Sequence, residues 1–137
     1  ETLIKDCGLY KSKAKNLIAT CQILVDRYHG EVPRKFDQLV ELPGVGRKTA
    51  NVVVSVLFGT PAIAVDTHVF RVSNRLKLGI AKTPEEMEQK IQKAIPKKDW
   101  AAAHHWLIYH GRRLCKARKP LCDECFLNHV CPSAGKV

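Results

Sequence analysis

The chain has 137 residues, 45% of them apolar, enough to bury one modest core or two small lobes sharing an interface. It contains no apolar run long enough for a membrane span. Its start, Glu1-Thr2-Leu3-Ile4, lacks the basic-then-apolar order of a secretory signal, so the reading is a globular cytoplasmic protein with no membrane partner. Twenty-three Lys and Arg against thirteen Asp and Glu leave a formal charge of +10, a field that attracts polyanions, with nucleic acid the first candidate. A merely basic surface stays open as an alternative, because net charge does not say where the charges lie.

The chain does not begin with Met, and Leu3 and Ile4 read as part of a helix already under way, so a preceding segment of the natural protein is expected. From Lys11 to His29, Ala14, Leu17, Ile18, Cys21, Leu24, Val25 and Tyr28 recur at spacings of three and four, the stripe of an amphipathic helix ended by Gly30. Pro33 opens a short helix through Phe36, Leu39 and Val40. Leu42-Pro43-Gly44-Val45-Gly46 stops it in a tight hairpin. Arg47 to Phe58 is valine-rich and its propensity favours a strand, but its length and its apolar side chains on nearly all sides predict a helix buried at the centre of a bundle.

After Gly59-Thr60-Pro61, Asp66 occupies the N-cap position of a helix over Thr67 to Leu78. Thr83-Pro84-Glu85-Glu86 starts another with a cap hydroxyl, a proline in the first turn and a glutamate placed to close a capping box; Met87, Ile91 and Ile95 line one face of it. Pro96 ends that helix, and a last one runs from about Asp99 to Leu114. With no convincing strand, the class is all-α with short connections.

A helix, a Gly-x-Gly hairpin and a second helix present backbone N–H groups at a positive helix end, an arrangement that favours an anion. The glycines allow close approach of a phosphate backbone, and such contacts position a protein without reading sequence. A bare Gly-x-Gly is weak evidence, since an ordinary interhelical turn has the same pattern. Here the run from Leu42 through Gly44, Val45, Gly46, Arg47, Lys48 and Thr49 to Asn51, followed by Ile63-Ala64-Val65-Asp66-Thr67-His68-Val69-Phe70-Arg71-Val72, closely resembles the endonuclease III family of helix-hairpin-helix glycosylases. The resemblance continues through His104-His105-Trp106 and Gly111-Arg112 to the cysteines, and so covers nearly the whole chain.

That resemblance implies a nucleophilic lysine at Lys48 and a catalytic aspartate at Asp66. The amine attacks C1′ of a damaged nucleotide, the base leaves, a Schiff base remains, and β-elimination cuts the strand. A free lysine, with a pKa of about 10.4, is almost wholly protonated at neutral pH and needs activation. The positive helix end and burial in a cleft beside Arg47 are the sources expected from sequence. Asp66 can cap its helix with one oxygen and offset cationic charge on the sugar with the other. Without the resemblance, Lys48 reads as one of many solvated or phosphate-contacting lysines.

Cys115, Cys122, Cys125 and Cys131 follow the pattern C-x6-C-x2-C-x5-C in the last 23 residues. In a cytoplasmic chain this reads as metal ligation rather than disulfides. Spacing alone leaves zinc and a [4Fe-4S] cluster about equally placed; the resemblance implies the cluster, in a structural role. Lys116, Arg118 and Lys119 would then form a basic loop touching phosphates, together with Leu42, Gly44, Val45, Gly46 and Arg47 of the hairpin. The resemblance also suggests a monovalent cation on the carbonyls of Val40, Leu42 and Val45.

His104, His105 and His110 share a helix, but adjacent positions point about 100° apart and no carboxylate accompanies them, so packing or DNA contact is favoured over metal. Trp100, Trp106 and Tyr109 are expected in the core of the second lobe, and Cys7 and Cys21 as core or incidental thiols. By resemblance, residues 1–60 form a lobe with the hairpin and 61–137 a lobe with the cluster loop. A DNA cleft lies between them, in which Lys48 and Asp66 face an extruded nucleotide. The expected whole is a monomeric, nucleoid-associated bifunctional glycosylase acting on oxidised pyrimidines and abasic sites in double-stranded DNA. Two rivals stand beside it: a monofunctional adenine-type glycosylase, which the lysine at position 48 disfavours, and a non-catalytic DNA-binding fragment.

Overall fold

The computed structural model describes residues 1–137, and it is entirely helical apart from turns and loops. The chain opens on a single 3-10 turn, Thr2–Ile4, rather than on a continuing helix. Helices α1 (Tyr10–Tyr28), α2 (Phe36–Val40) and α3 (Arg47–Val56) precede α4 (Thr67–Leu76), α5 (Pro84–Ala94) and α6 (Trp100–Arg113). The ends follow local chemistry. His29 and Gly30 close α1 with φ of 54° and 82°, and Gly30 N–H donates to Leu24 O at 2.8 Å. Thr83 caps α5 by accepting from Glu86 N at 3.2 Å, while the Glu86 carboxylate accepts from Lys82 N, one residue outside the expected capping box.

Two separate hydrophobic clusters form. Leu39, Leu42, Ala50, Val54 and Ala62 make the first, with Ile23, Leu24, Tyr28 and Phe36 packed against it. Ile63, Val65, Val69, Val72, Met87, Ile91, Ala103 and Leu107 make the second, with Trp100 and Ile95 at its margin. The extended segment Ala62-Ile63-Ala64-Val65 passes from one to the other with all four side chains buried.

Three burial expectations need correction. On α1 only Ala14 is fully buried, and the inward face carries Ile23 and Leu24; Leu17, Ile18, Cys21 and Val25 point outward. Those residues share the stripe marked by the spacing, but that face is left largely open, and it is the neighbouring side, with Asn16, Thr20 and Ile23, that meets the hairpin and first cluster. For the same reason α3 buries only Ala50, Asn51 and Val54, leaving Val56 and Leu57 exposed. Trp106 and Tyr109 are 61% and 54% exposed, because the α6 face turned to α4 and α5 is the one bearing Ala103, His104, Leu107 and Gly111. Cys7 and Cys21 are exposed free thiols.

The contact between α4 and α6 depends on Gly111. A Cβ there would lie 3.1 Å from both His68 Cβ and Val72 Cγ2, tighter than most packed carbon contacts, so one of these neighbours would have to shift, and the Gly111 carbonyl accepts from Arg71. Gly111→Ala is therefore expected to destabilise the protein by about 1–3 kcal/mol through overpacking, despite the better helix propensity of alanine. Urea unfolding would check it, by a lower midpoint at an unchanged slope.

Candidate functional site

The hairpin between α2 and α3 is built by close packing rather than by caps. Gly44 adopts φ 76°, and a Cβ there would strike Asn16 Nδ2 of α1 at 2.6 Å. Thr20 Oγ1 of α1 donates to Pro43 O at 3.0 Å, and Val45 N donates to Leu42 O at 3.0 Å. Gly46 faces open space, with nothing within 4 Å of a Cβ placed on it. The glycine inside the turn is thus needed for packing, and the one at the helix start leaves the backbone approachable from outside. Leu42 is buried in the first cluster, so only its backbone is left for a ligand.

Gly46 is the N-cap of α3 and offers no side-chain acceptor, so this end keeps the positive character of an uncapped helix start. Lys48 stands in its first turn, exposed rather than buried as expected from sequence. The reason is local: a long side chain at this position leans over the rim of an open depression of about 320 Å³, lined by Lys48, Val65, Asp66, Thr67, Phe70 and Pro84. Lys48 and Asp66, 18 positions apart in the chain, therefore share one concavity. Asp66 Oδ1 accepts from His68 N and Val69 N, both at 2.8 Å, which caps α4 and leaves Oδ2 free of that duty. One carboxylate thus serves as cap and as a candidate functional group.

Arg47 turns away from this depression. Its Nε and Nη2 donate to Glu88 Oε2 and Oε1 of α5, each at 2.8 Å, and its guanidinium lies over the Phe36 ring. Glu88 holds the guanidinium above the ordinary arginine range through this hydrogen-bonded pair. Asn51, one turn further along α3, donates to the same Glu88 and to Ile63 O. Sequence reasoning missed Glu88 and Asn51. The only available signal was the one-turn spacing of Arg47 and Asn51, and their shared partner lies 41 and 37 positions away.

His104 is buried, and its Nδ1–H donates to Ala64 O at 2.8 Å, pinning the segment that leads to Asp66. Burial holds its imidazole below the usual histidine range, against a smaller opposing effect of the Ala64 bond. A folded-state value below the unfolded one of about 6.5 favours folding fully above that pH, and the contribution is lost as pH falls toward the folded value. Thermal stability should decline as pH falls below about 7, and His104→Gln should flatten that decline in melts recorded across the acid range.

The four C-terminal cysteines are free thiols lining one small, mostly apolar cavity, together with Leu76, His110, Leu114 and Leu121. Four thiols around one space are the donor set that an iron-sulfur group requires. The surrounding donors come from α4. Arg71 Nε and Nη2 donate to Cys115 O at 3.1 and 3.0 Å, and Nη2 to Gly111 O at 2.9 Å. Arg75 Nη1 donates to Lys116 O at 2.6 Å and to Cys115 Sγ at 3.4 Å, and Arg75 Nη2 to Ala117 O at 3.2 Å. Two arginines one turn apart thus hold the loop against the helix that Asp66 begins, a role the sequence did not disclose. Lys116, Arg118 and Lys119 remain exposed on that loop.

Fold and site together define a helix-hairpin-helix protein with a lysine–carboxylate cleft and a four-thiolate loop. Residues 1–97 match the HhH-GPD superfamily of base excision DNA repair proteins, and residues 115–131 match the iron-sulfur binding domain of endonuclease III. Endonuclease III of Rickettsia conorii is 56% identical over 128 residues, covering 93% of this chain and 61% of that protein. That of Escherichia coli K12 is 51% identical over 137 residues, covering 100% and 65%. A solved structure of a trapped endonuclease III–DNA covalent intermediate superposes with a TM-score of 0.90 at 53% identity, covering 96% of this chain and 62% of that one. The chain belongs to the HhH-GPD superfamily of base excision DNA repair proteins. It spans less than two thirds of the length of these relatives. Residues 115–131, which contain the four cysteines, carry the iron-sulfur binding domain and with it a [4Fe-4S] cluster.

Proposed function

We propose that this chain carries the catalytic core of a bifunctional DNA glycosylase and abasic-site lyase for oxidised pyrimidines in double-stranded DNA. The observation that carries the reading is the shared depression of Lys48 and Asp66 at the start of an uncapped helix. Endonuclease III has been captured as a covalent intermediate with DNA, which supports a covalent mechanism for this chain, with Lys48 as its nucleophile. The Lys48 amine attacks C1′ of the damaged nucleotide as the base departs with the bonding pair. Loss of the amine proton and ring opening leave a Schiff base, from which β-elimination releases the 3′ phosphate. Asp66 Oδ2 offsets cationic charge on the sugar.

The hairpin backbone at Leu42, Gly44, Val45 and Gly46, with Lys116, Arg118 and Lys119, supplies phosphate contacts that position the duplex. Arg47 contributes less to DNA than its place in the motif suggests, since Glu88 takes its guanidinium. The cleft lies between lobes assigned to residues 1–60 and 61–137, and the protein works as a cytoplasmic, nucleoid-associated monomer. The bound cluster supplies a rigid tie among the four thiolates, and so shapes the basic loop. The carbonyls of Val40, Leu42 and Val45 are proposed ligands of a monovalent cation.

The test is borohydride treatment with abasic duplex: a lyase of this mechanism becomes covalently attached to the DNA. Strand cleavage without capture would end the Schiff-base reading. Base release without cleavage would favour the adenine-type rival, and binding alone the non-catalytic one.

A further inference from the structure

We propose that Glu88 is a positioning residue for Lys48: one buried carboxylate on α5 sets the rotation of α3 about its own axis and so aims the amine into the depression it shares with Asp66. The inference rests on the proposed lyase reading.

Glu88 is almost completely buried, yet every bond that holds it is accounted for. Oε2 accepts from Arg47 Nε at 2.8 Å and Asn51 Nδ2 at 3.0 Å; Oε1 accepts from Arg47 Nη2 at 2.8 Å and Gln92 Nε2 at 3.4 Å. A buried carboxylate with four donors is satisfied, and removing its charge strands a guanidinium aimed at it. Arg47 and Asn51 are four positions apart and lie on one face of α3, so Glu88 grips that helix at two points a turn apart. Two such points oppose rotation, which a single bond cannot do. Lys48 follows Arg47 immediately and so projects about 100° around the axis from it. With Arg47 drawn to α5, Lys48 is left on the rim beside Val65 and Asp66.

No other polar device does this work at the head of α3. The N-cap is Gly46, which has no side chain to anchor the first turn. The same amide of Asn51 spends its second proton on Ile63 O, three residues before Asp66. Both candidate catalytic groups are therefore referenced to one carboxylate across the boundary between the two hydrophobic clusters. Arg47, Lys48 and Glu88 also line a second depression that adjoins the first through Lys48, Val65 and Pro84.

The test uses the full-length, cluster-loaded protein. Single-turnover borohydride capture on abasic duplex is compared with affinity for a duplex carrying a reduced, non-reacting abasic site. Glu88→Gln keeps the volume and one acceptor but loses the charge, and Arg47→Lys keeps a positive charge for phosphate but loses the bidentate fork. Both variants are expected to capture DNA roughly tenfold more slowly or worse, with affinity held within about threefold. The double variant should be no slower than the slower single one, as expected for two residues acting through one bond. Wild-type capture rates in either folded variant would overturn the inference, as would equal losses of rate and affinity. If Glu88→Gln does not fold, Arg47→Lys decides by the same criteria. Absence of any adduct with the unmodified protein would instead sink the lyase reading itself, so the two failures are distinguishable.

Discussion

Lys48→Gln is expected to abolish borohydride capture and strand cleavage, lowering the rate on the order of 10³-fold or more, while binding to damaged duplex survives. The amide has nearly the reach of the amine but cannot form a Schiff base. The rest of the site should be undisturbed: Lys48 is exposed, makes no hydrogen bond that holds α3, and is separate from the Glu88 grip on Arg47 and Asn51. Phosphate contacts from the hairpin and the basic loop are untouched, so affinity should fall only a few-fold. The salt dependence of log Kd should become shallower by no more than about one unit, the share of one lost cation. Capture and nicking assays on one abasic duplex, beside a binding titration at several salt concentrations, give all three numbers. A variant that still cleaves would transfer the chemistry to another group.

Cys122→Ser is the second large effect. Its thiol lines the same cavity as those of Cys115, Cys125 and Cys131, and a hydroxyl is a poor replacement for a thiolate toward iron. The variant should lose the visible absorption of the cluster. The protein bonds recorded within residues 115–131 are mostly short-range turns, such as Cys125 N to Cys122 O and Asn128 N to Cys125 O. The longer ties hold its two ends: Arg71 and Arg75 donate to Cys115, Lys116 and Ala117, Leu121 N donates to Leu114 O, and Ser133 Oγ donates to Arg75 O. Without the cluster, then, the stretches at 118–120 and 122–130 have little beyond short turns to hold their shape. Arg118 and Lys119 should cease to act together with Lys116, which Arg75 still holds, making the salt dependence of DNA binding shallower by about two units. A lower thermal midpoint should accompany the loss. Unchanged salt dependence in cluster-free protein would show that this loop does not meet the phosphates.

Local chemistry made much of the fold readable. The caps at Asp66 and Thr83, the stop at Gly30 and the hairpin at Gly44 and Gly46 each follow from side-chain or backbone preferences acting over a few residues. Helix faces were read less well. Leu17, Ile18, Val25, Trp106 and Tyr109 are apolar and correctly spaced, but spacing marks a face without saying which neighbour covers it. Sequence alone expected Lys48 to be sheltered, and it stands on an open rim because the walls beside it come from the segments around Asp66 and Pro84.

Residue type, order and short spacing by themselves determined the helical class, the hairpin and the clustering of four cysteines, while Lys48 stood out from the other lysines only through the family resemblance. Only tertiary structure brought Lys48 beside Asp66, gave Arg47 to Glu88, and put Arg71 and Arg75 around the cysteine loop. Caps, turns and ligand spacings act within a few residues and leave their mark in local order. Partnerships formed across some 40 positions arise when helices pack, and they depend on how two cores turn those helices toward each other.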